Sequence, residues 1–213
     1  MIRRCRRSAF FISGLVLLVG CSSGKAASQN ASHSASATAP PPASSSPVSI
    51  APAAVRIGPY TQEFAGLVLT DPAQASVIEG FREAQVLWVK SSEAWHLVAP
   101  VAQFVVGIDL SNLNRAIAYD KQRGVVAAGT DQFFMTKVTS LGANSATVST
   151  CDNASKFKFI FKATGHIDKA DAAPPNQAYL FENWGMIRQS GHWAISSVSV
   201  IMLPDPRAQP CQP

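Results

Sequence analysis

The chain is short of the residues that build most catalytic and metal sites. It has four cysteines and four histidines in 213 residues. The histidines (His33, His96, His166, His192) have no ligand spacing with one another or with a Cys-x-x-Cys pair, so no metal site is expected. Gly124 and Gly129 are isolated glycines of the kind that form turns, so there is no phosphate-cradling loop. There is no Gly-x-Ser-x-Gly elbow to present a nucleophilic serine. No internal repeat is visible, which excludes a solenoid or propeller. No cofactor is expected. The one long apolar run, Ala9 to Gly20, falls well short of the ~20 residues that span a bilayer.

What is present begins at the amino terminus. Arg3, Arg4, Arg6 and Arg7 precede that apolar run, which ends in Leu18-Val19-Gly20-Cys21. A positive segment followed by a short apolar one is the layout of an export signal. Leu-Val-Gly-Cys resembles the lipobox of bacterial lipoproteins. The resemblance implies that residues 1–20 are a lipoprotein signal peptide, removed before Cys21, and that Cys21 carries the acyl chains. The expected location is the extracytoplasmic face of the cell membrane.

That reading alters the charge. The formal net charge is +5, but removing the four signal arginines from 18 basic residues leaves 14 against 13 acidic. An evenly charged surface is expected, with no basic patch for nucleic acid. It also alters the cysteine count. Cys5 lies in the signal and Cys21 is the lipid site, which leaves Cys151 and Cys211 in an oxidising compartment. A bridge closing that loop of about sixty residues would contribute roughly 4 kcal/mol. The alternative is two free thiols, one of them buried.

Residues 21–56 are Ser, Ala and Pro with few large apolar side chains, including Ala39-Pro40-Pro41-Pro42. Such a stretch buries too little to offset ordering entropy and is expected to be a disordered tether. Its root-mean-square reach is about 30 Å. Residues 57–213 suit one domain.

Within that domain the first expected element is a helix, capped by Asp71 with Pro72 in the first position. Ala75, Ile78, Phe81, Gln85 and Trp88 follow on one face. A second helix is expected from Asp109 as N-cap to Gly124 as stop. Strands are expected at Val125–Ala128, Phe133–Leu141, Ala146–Cys151 and Lys156–Lys162. Phe157, Phe159 and Phe161 alternate with lysines in the last of these. A polar loop over Asp168–Asn176 follows, then a hairpin pairing Tyr179–Gln189 with His192–Met202 across Ser190-Gly191. Helices followed by an antiparallel meander give the α+β class.

Asn183-Trp184 and Ser190-Gly191-His192-Trp193-Ala194-Ile195 resemble the terminal hairpin of the nuclear transport factor 2-like, or cystatin-like α+β cone, superfamily. Val148-Ser149-Thr150-Cys151-Asp152-Asn153-Ala154-Ser155 is similar to a segment of small secreted and lipid-anchored members from high-GC Gram-positive bacteria, which end in a final cysteine. The resemblance implies N-terminal helices packed in a curved antiparallel sheet, a cone with an internal pocket. Members include isomerases, dehydratases and polyketide cyclases, and also ligand- and protein-binding modules, so the fold does not choose the function.

Candidates for proton transfer are Asp109, Asp120, Asp131 and His166, since a buried Asp beside a His is a general base in an apolar cone. Each has a structural alternative: a helix cap for Asp109, a charged helix end for Asp120, a Gly-Thr-Asp turn for Asp131 and a strand end for His166. Trp88, Trp95, Phe159, Trp184 and Trp193 are candidates to line an apolar pocket, or to fill a core. The leading expectation is a non-catalytic binding module at the cell envelope, for a partner protein or a small apolar ligand. An isomerase-, dehydratase- or cyclase-like enzyme is the alternative.

Overall fold

The structure is a computed structural model that describes residues 46–171 and 178–212. The expected signal peptide, Cys21, most of the tether and much of the Asp168–Asn176 loop lie outside the described residues.

The folded part starts earlier than the composition suggested. Val48–Ile50 forms strand β1 and Ala53–Ile57 forms β2, the first within the stretch assigned to the tether and the second crossing its end. Val48, Ile50, Val55 and Ile57 alternate with small or polar residues, the period-two signal of a strand with one buried face. The surrounding Ala, Ser and Pro hide it. Tyr60–Phe64 forms β3, antiparallel to β2, and Leu67–Leu69 forms β4, antiparallel to β1.

Helix α1 therefore follows four strands. It spans Pro72–Ala94, and the Asp71 side chain accepts from the Ala73 amide at 2.8 Å, as expected of a cap. Its buried face carries Val77, Ile78, Phe81, Ala84 and Gln85. Gly80 stands where α1 meets Trp193. A Cβ there would come within 2.6 Å of the Trp193 Cβ, so no larger residue fits without displacing the helix. A short helix, α2 (Val101–Phe104), leads to α3, Gly107–Arg123, which ends at Gly124 in the left-handed region (φ 69°). Asp109 is not the cap of α3. The helix begins two residues earlier, at Gly107, with Val106 in the cap position, so Asp109 lies inside the first turn.

Strand β5 runs unbroken over Val125–Leu141, where two strands and a turn were expected. Its first residues pair with β7 (Lys158–Phe161), and its last pair with β6 (Ser145–Asn153). Its middle runs parallel to β3, so the sheet is mixed rather than antiparallel. The helices between β3 and β5 return the chain to the same end, which a direct hairpin cannot do. Gly129 keeps the strand continuous. A Cβ at that position would meet the Lys156 carbonyl oxygen at 1.9 Å.

The last two strands, β8 (Tyr179–Gln189) and β9 (His192–Met202), form the expected hairpin. Ser190 and Gly191 both have positive φ (50° and 85°), the requirement of a two-residue turn that matches strand twist. The seven-stranded sheet has the order β2-β3-β5-β6-β8-β9, with β7 on β5, and register shifts bend β5 and β8. The result is α+β, with helices packed on one face of a curved mixed sheet. The chain then turns through Pro206–Cys211, and a disulfide joins Cys211 to Cys151 in β6.

Candidate functional site

The inner face of the sheet, where the helices pack, is filled by aromatic rings. Phe64 stacks on Phe133 with centroids 5.2 Å apart, Phe81 of α1 meets Phe133 edge-on at 6.0 Å, and Trp184 lies 5.8 Å from Phe81. The tryptophans are each tied into this packing. Trp184 Nε1 donates to Glu182 at 3.1 Å, Trp193 Nε1 to the Ser76 hydroxyl at 3.2 Å, and Trp95 Nε1 to the Val125 carbonyl at 3.0 Å. Trp88 is half-buried against the same core. Phe159 packs edge-on against Phe157 at 5.0 Å, away from Trp184, while Phe161 is 38% exposed.

The candidate proton-transfer residues are dispersed: Asp109 and Asp120 lie at opposite ends of α3, Asp131 in β5 and His166 beyond β7. Asp131, in mid-β5, is buried and accepts from the Tyr60 hydroxyl at 2.8 Å. Asp120 is half-buried in the last turn of α3, where its carbonyl accepts from the Gly124 amide. His166 is exposed beyond β7, and its carbonyl accepts from the Phe161 amide at 2.9 Å. Asp109 is buried near the start of α3. Asn112 donates to its Oδ1 at 3.4 Å, and its Oδ2 has no hydrogen-bond partner. Burial pushes the Asp109 carboxyl above the usual carboxylate range, and the Asn112 contact partly opposes this.

Beyond the aromatic cluster the same inner face turns polar. Gln62 lies in register with Asp131, and Thr150 in register with Glu182. Asp152 stands opposite Phe133 and Leu180. All five polar residues are buried. Asp131, Asp152 and Glu182 thus make a diagonal row across β5, β6 and β8, spaced about 7–8 Å between backbones. Of this set only Asp131 was a candidate site residue by sequence, while Thr150 and Asp152 belonged to the Val148–Ser155 segment. The alternation in β6 and β8 carried the signal for Asp152 and Glu182, because they share a face with Val148 and Trp184. Among the described residues no group of three or more His, Cys, Asp or Glu side chains is placed to hold a metal ion. No described helix is long and apolar enough to cross a membrane.

A recess of about 540 Å³ opens at the edge of the sheet. Its lining includes Ala53 and Ala54 of β2, Glu63 and Phe64 of β3, and Gln132 and Phe134 of β5. None of the five aromatic candidates lines it. Gln132 Nε2 donates to Glu63 Oε2 at 2.7 Å and its Oε1 accepts from Asn153 at 2.9 Å, a fixed polar row beside small apolar side chains. Among the described residues β2 is the end strand of the sheet and pairs with β3 alone.

No protein-family model and no curated protein matches the chain. Among solved structures it is similar to the intermembrane space region of the chloroplast protein ARC6, at 15% identity and a TM-score of 0.37, covering 58% of this chain and 95% of that one. It is also similar to an uncharacterised protein with a cystatin-like fold from Caulobacter vibrioides, at 8% identity and a TM-score of 0.35, covering 63% of this chain and 94% of that one.

Proposed function

We propose that the chain is a lipid-anchored protein of the cell envelope whose cone domain is a non-catalytic module that binds an extended segment of a partner protein beside β2. The tether holds the domain near the outer face of the membrane through Cys21. One observation carries the binding reading. The inner face is closed by Phe64, Phe81, Phe133 and Trp184, while the recess opens beside an end strand. An added strand gains main-chain hydrogen bonds from such an edge, and a neighbouring recess receives its side chains. Native mass spectrometry of the membrane-extracted chain is the test. A polypeptide partner held by the wild type and lost from Ala54→Trp supports the reading, and Cys21→Ala releases the chain from the membrane fraction. Intact partner binding by Ala54→Trp overturns it.

The Tyr60–Asp131 pair favours a second reading, an isomerase-, dehydratase- or cyclase-like enzyme acting inside the cone. A bound small molecule that is lost in Asp131→Asn moves the function to the interior.

A further inference from the structure

β2 is built to pair with a copy of itself. It meets β3 across Gly58-Pro59, with Ile57 opposite Tyr60, Val55 opposite Gln62 and Ala53 opposite Phe64. A two-residue turn closes on a hydrogen-bonded pair, and such pairs alternate along an antiparallel ladder. The backbone groups of Ile57, Val55 and Ala53 are therefore turned toward β3. Those of Ala54 and Arg56 point to the open edge, and among the described residues no strand takes them. Both residues are exposed, and Val55 between them is half-buried. Pro52 has no amide to donate and ends this edge on one side.

The side chains along the edge complement their own copy. Ala54 lies opposite Glu63 and Arg56 opposite Thr61, so all four share one face of the hairpin. Glu63 accepts from Gln132 at 2.7 Å and, among the described residues, is in no ion pair. The Arg56 guanidinium reaches only the Gly58 carbonyl of its own turn, at 3.3 Å. Glu63 and Ala54 both line the recess.

We propose that the chain forms a homodimer in which β2 of two copies pairs antiparallel about Val55. Ala54 then faces Arg56 of the partner copy, and Arg56 faces the partner's Ala54. About four main-chain hydrogen bonds form, all from groups that the open edge presents. The partner's Arg56 side chain crosses Ala54, which is too small to obstruct it, and meets Glu63. The two backbones stand about 10 Å apart, one narrow and one wide strand pair, within the joint reach of an arginine and a glutamate. Symmetry makes this ion pair twice. On the other face Val55, packed at the margin of the core, meets the partner's Val55 and extends the apolar layer.

Neighbouring registers fail on the same residues. Centring on Arg56 sets like charges directly opposite each other. Centring on Ala54 sets Arg56 against Pro52, which offers no amide. The second copy is thus the extended partner of the edge proposed above, and its pairing rests on that reading. The recess becomes a site that the partner's arginine completes.

The test is oxidative cross-linking of the detergent-solubilised full chain, read on non-reducing gels. Val55→Cys places two thiols across the symmetry axis, with backbones about 4.5 Å apart, and should give a covalent dimer. Ala53→Cys places them roughly 14 Å apart and should not. In native mass spectrometry Arg56→Glu alone and Glu63→Arg alone should each weaken the dimer about tenfold or more, and the two together should restore it to within a few-fold of the wild type. That rescue separates lost complementarity from lost fold. Equal cross-linking at Ala53 and Val55, or a dimer that Arg56→Glu leaves intact, overturns the proposal. A monomeric wild type that holds another polypeptide, lost in Ala54→Trp, overturns the second copy as occupant and leaves the edge reading standing. A monomeric wild type that holds no polypeptide overturns both.

Discussion

Along the inner face of β3 the side chains run Tyr60, Gln62, Phe64, and along β5 they run Asp131, Phe133. A shift of two residues takes the interior from a buried polar patch to stacked rings. Both halves are equally buried: Phe64 and Phe133 are 4% and 5% exposed, Gln62 and Asp131 1% and 5%. What differs is the covering. Phe81 of α1 closes the aromatic half by contact with Phe133 and Trp184. In the polar half Asp131 receives the Tyr60 hydroxyl and Glu182 receives the Trp184 indole. The strand pattern decides which face a residue occupies. Tyr60 and Trp184 supply donors to two of the buried acids, while Gln62 Oε1 is buried without a hydrogen-bond partner.

The largest test of this contrast is Phe81→Ala. It removes the ring shared by Phe133 and Trp184 and should destabilise the fold by about 3–5 kcal/mol in urea unfolding. A loss below about 1 kcal/mol would show that the aromatic half is not what holds α1 on the sheet. Tyr60→Phe probes the polar half. It keeps the ring on Phe157 and removes only the donor to Asp131, for an expected loss of about 1–3 kcal/mol. If it costs as much as Phe81→Ala, the two halves are not energetically distinct.

The smallest effect is expected at Asp109, a buried acid whose Oδ2 has no hydrogen-bond partner. Its folded carboxyl titrates above the unfolded one because burial disfavours its charge. Its contribution to stability is therefore full below the ordinary carboxylate range and is lost as pH rises through the raised folded value. Asp109→Asn should melt higher than the wild type at neutral pH, with the gap closing in acid. A gap that stays constant with pH would show that Asp109 does not titrate as a buried group.

These contrasts also mark what the sequence made legible. The β8–β9 hairpin was readable because Ser190-Gly191 supplies its turn locally, and α1 because Asp71-Pro72 announces its start. The Cys151–Cys211 bridge followed from the cysteine count. The unbroken course of β5 was not readable. Gly129-Thr130-Asp131 looks like a turn, and only the approach of Lys156 and the distant Tyr60 hydroxyl make it a strand. The parallel β3–β5 pairing also depends on a crossover that no local pattern encodes. β1 and β2 were lost in the composition of the tether. For the candidate site, Asp131 was visible as a candidate, but Gln62 and Glu182 were not singled out, and Asp152 stood out only within the Val148–Ser155 segment. Their burial depends on three strands from distant parts of the chain.

The disulfide has a mechanical consequence for the domain under tension. It connects the middle of the sheet at Cys151 to Cys211, at the end of the turn that follows β9. A pull applied between the two ends of the domain passes from β6 through the sulfur bond to Cys211. Residues 152–210, including β7, β8 and β9, hang outside that path. Tension can strip the strands before Cys151, while the hairpin and the Pro206–Cys211 turn stay unloaded until the bond is reduced.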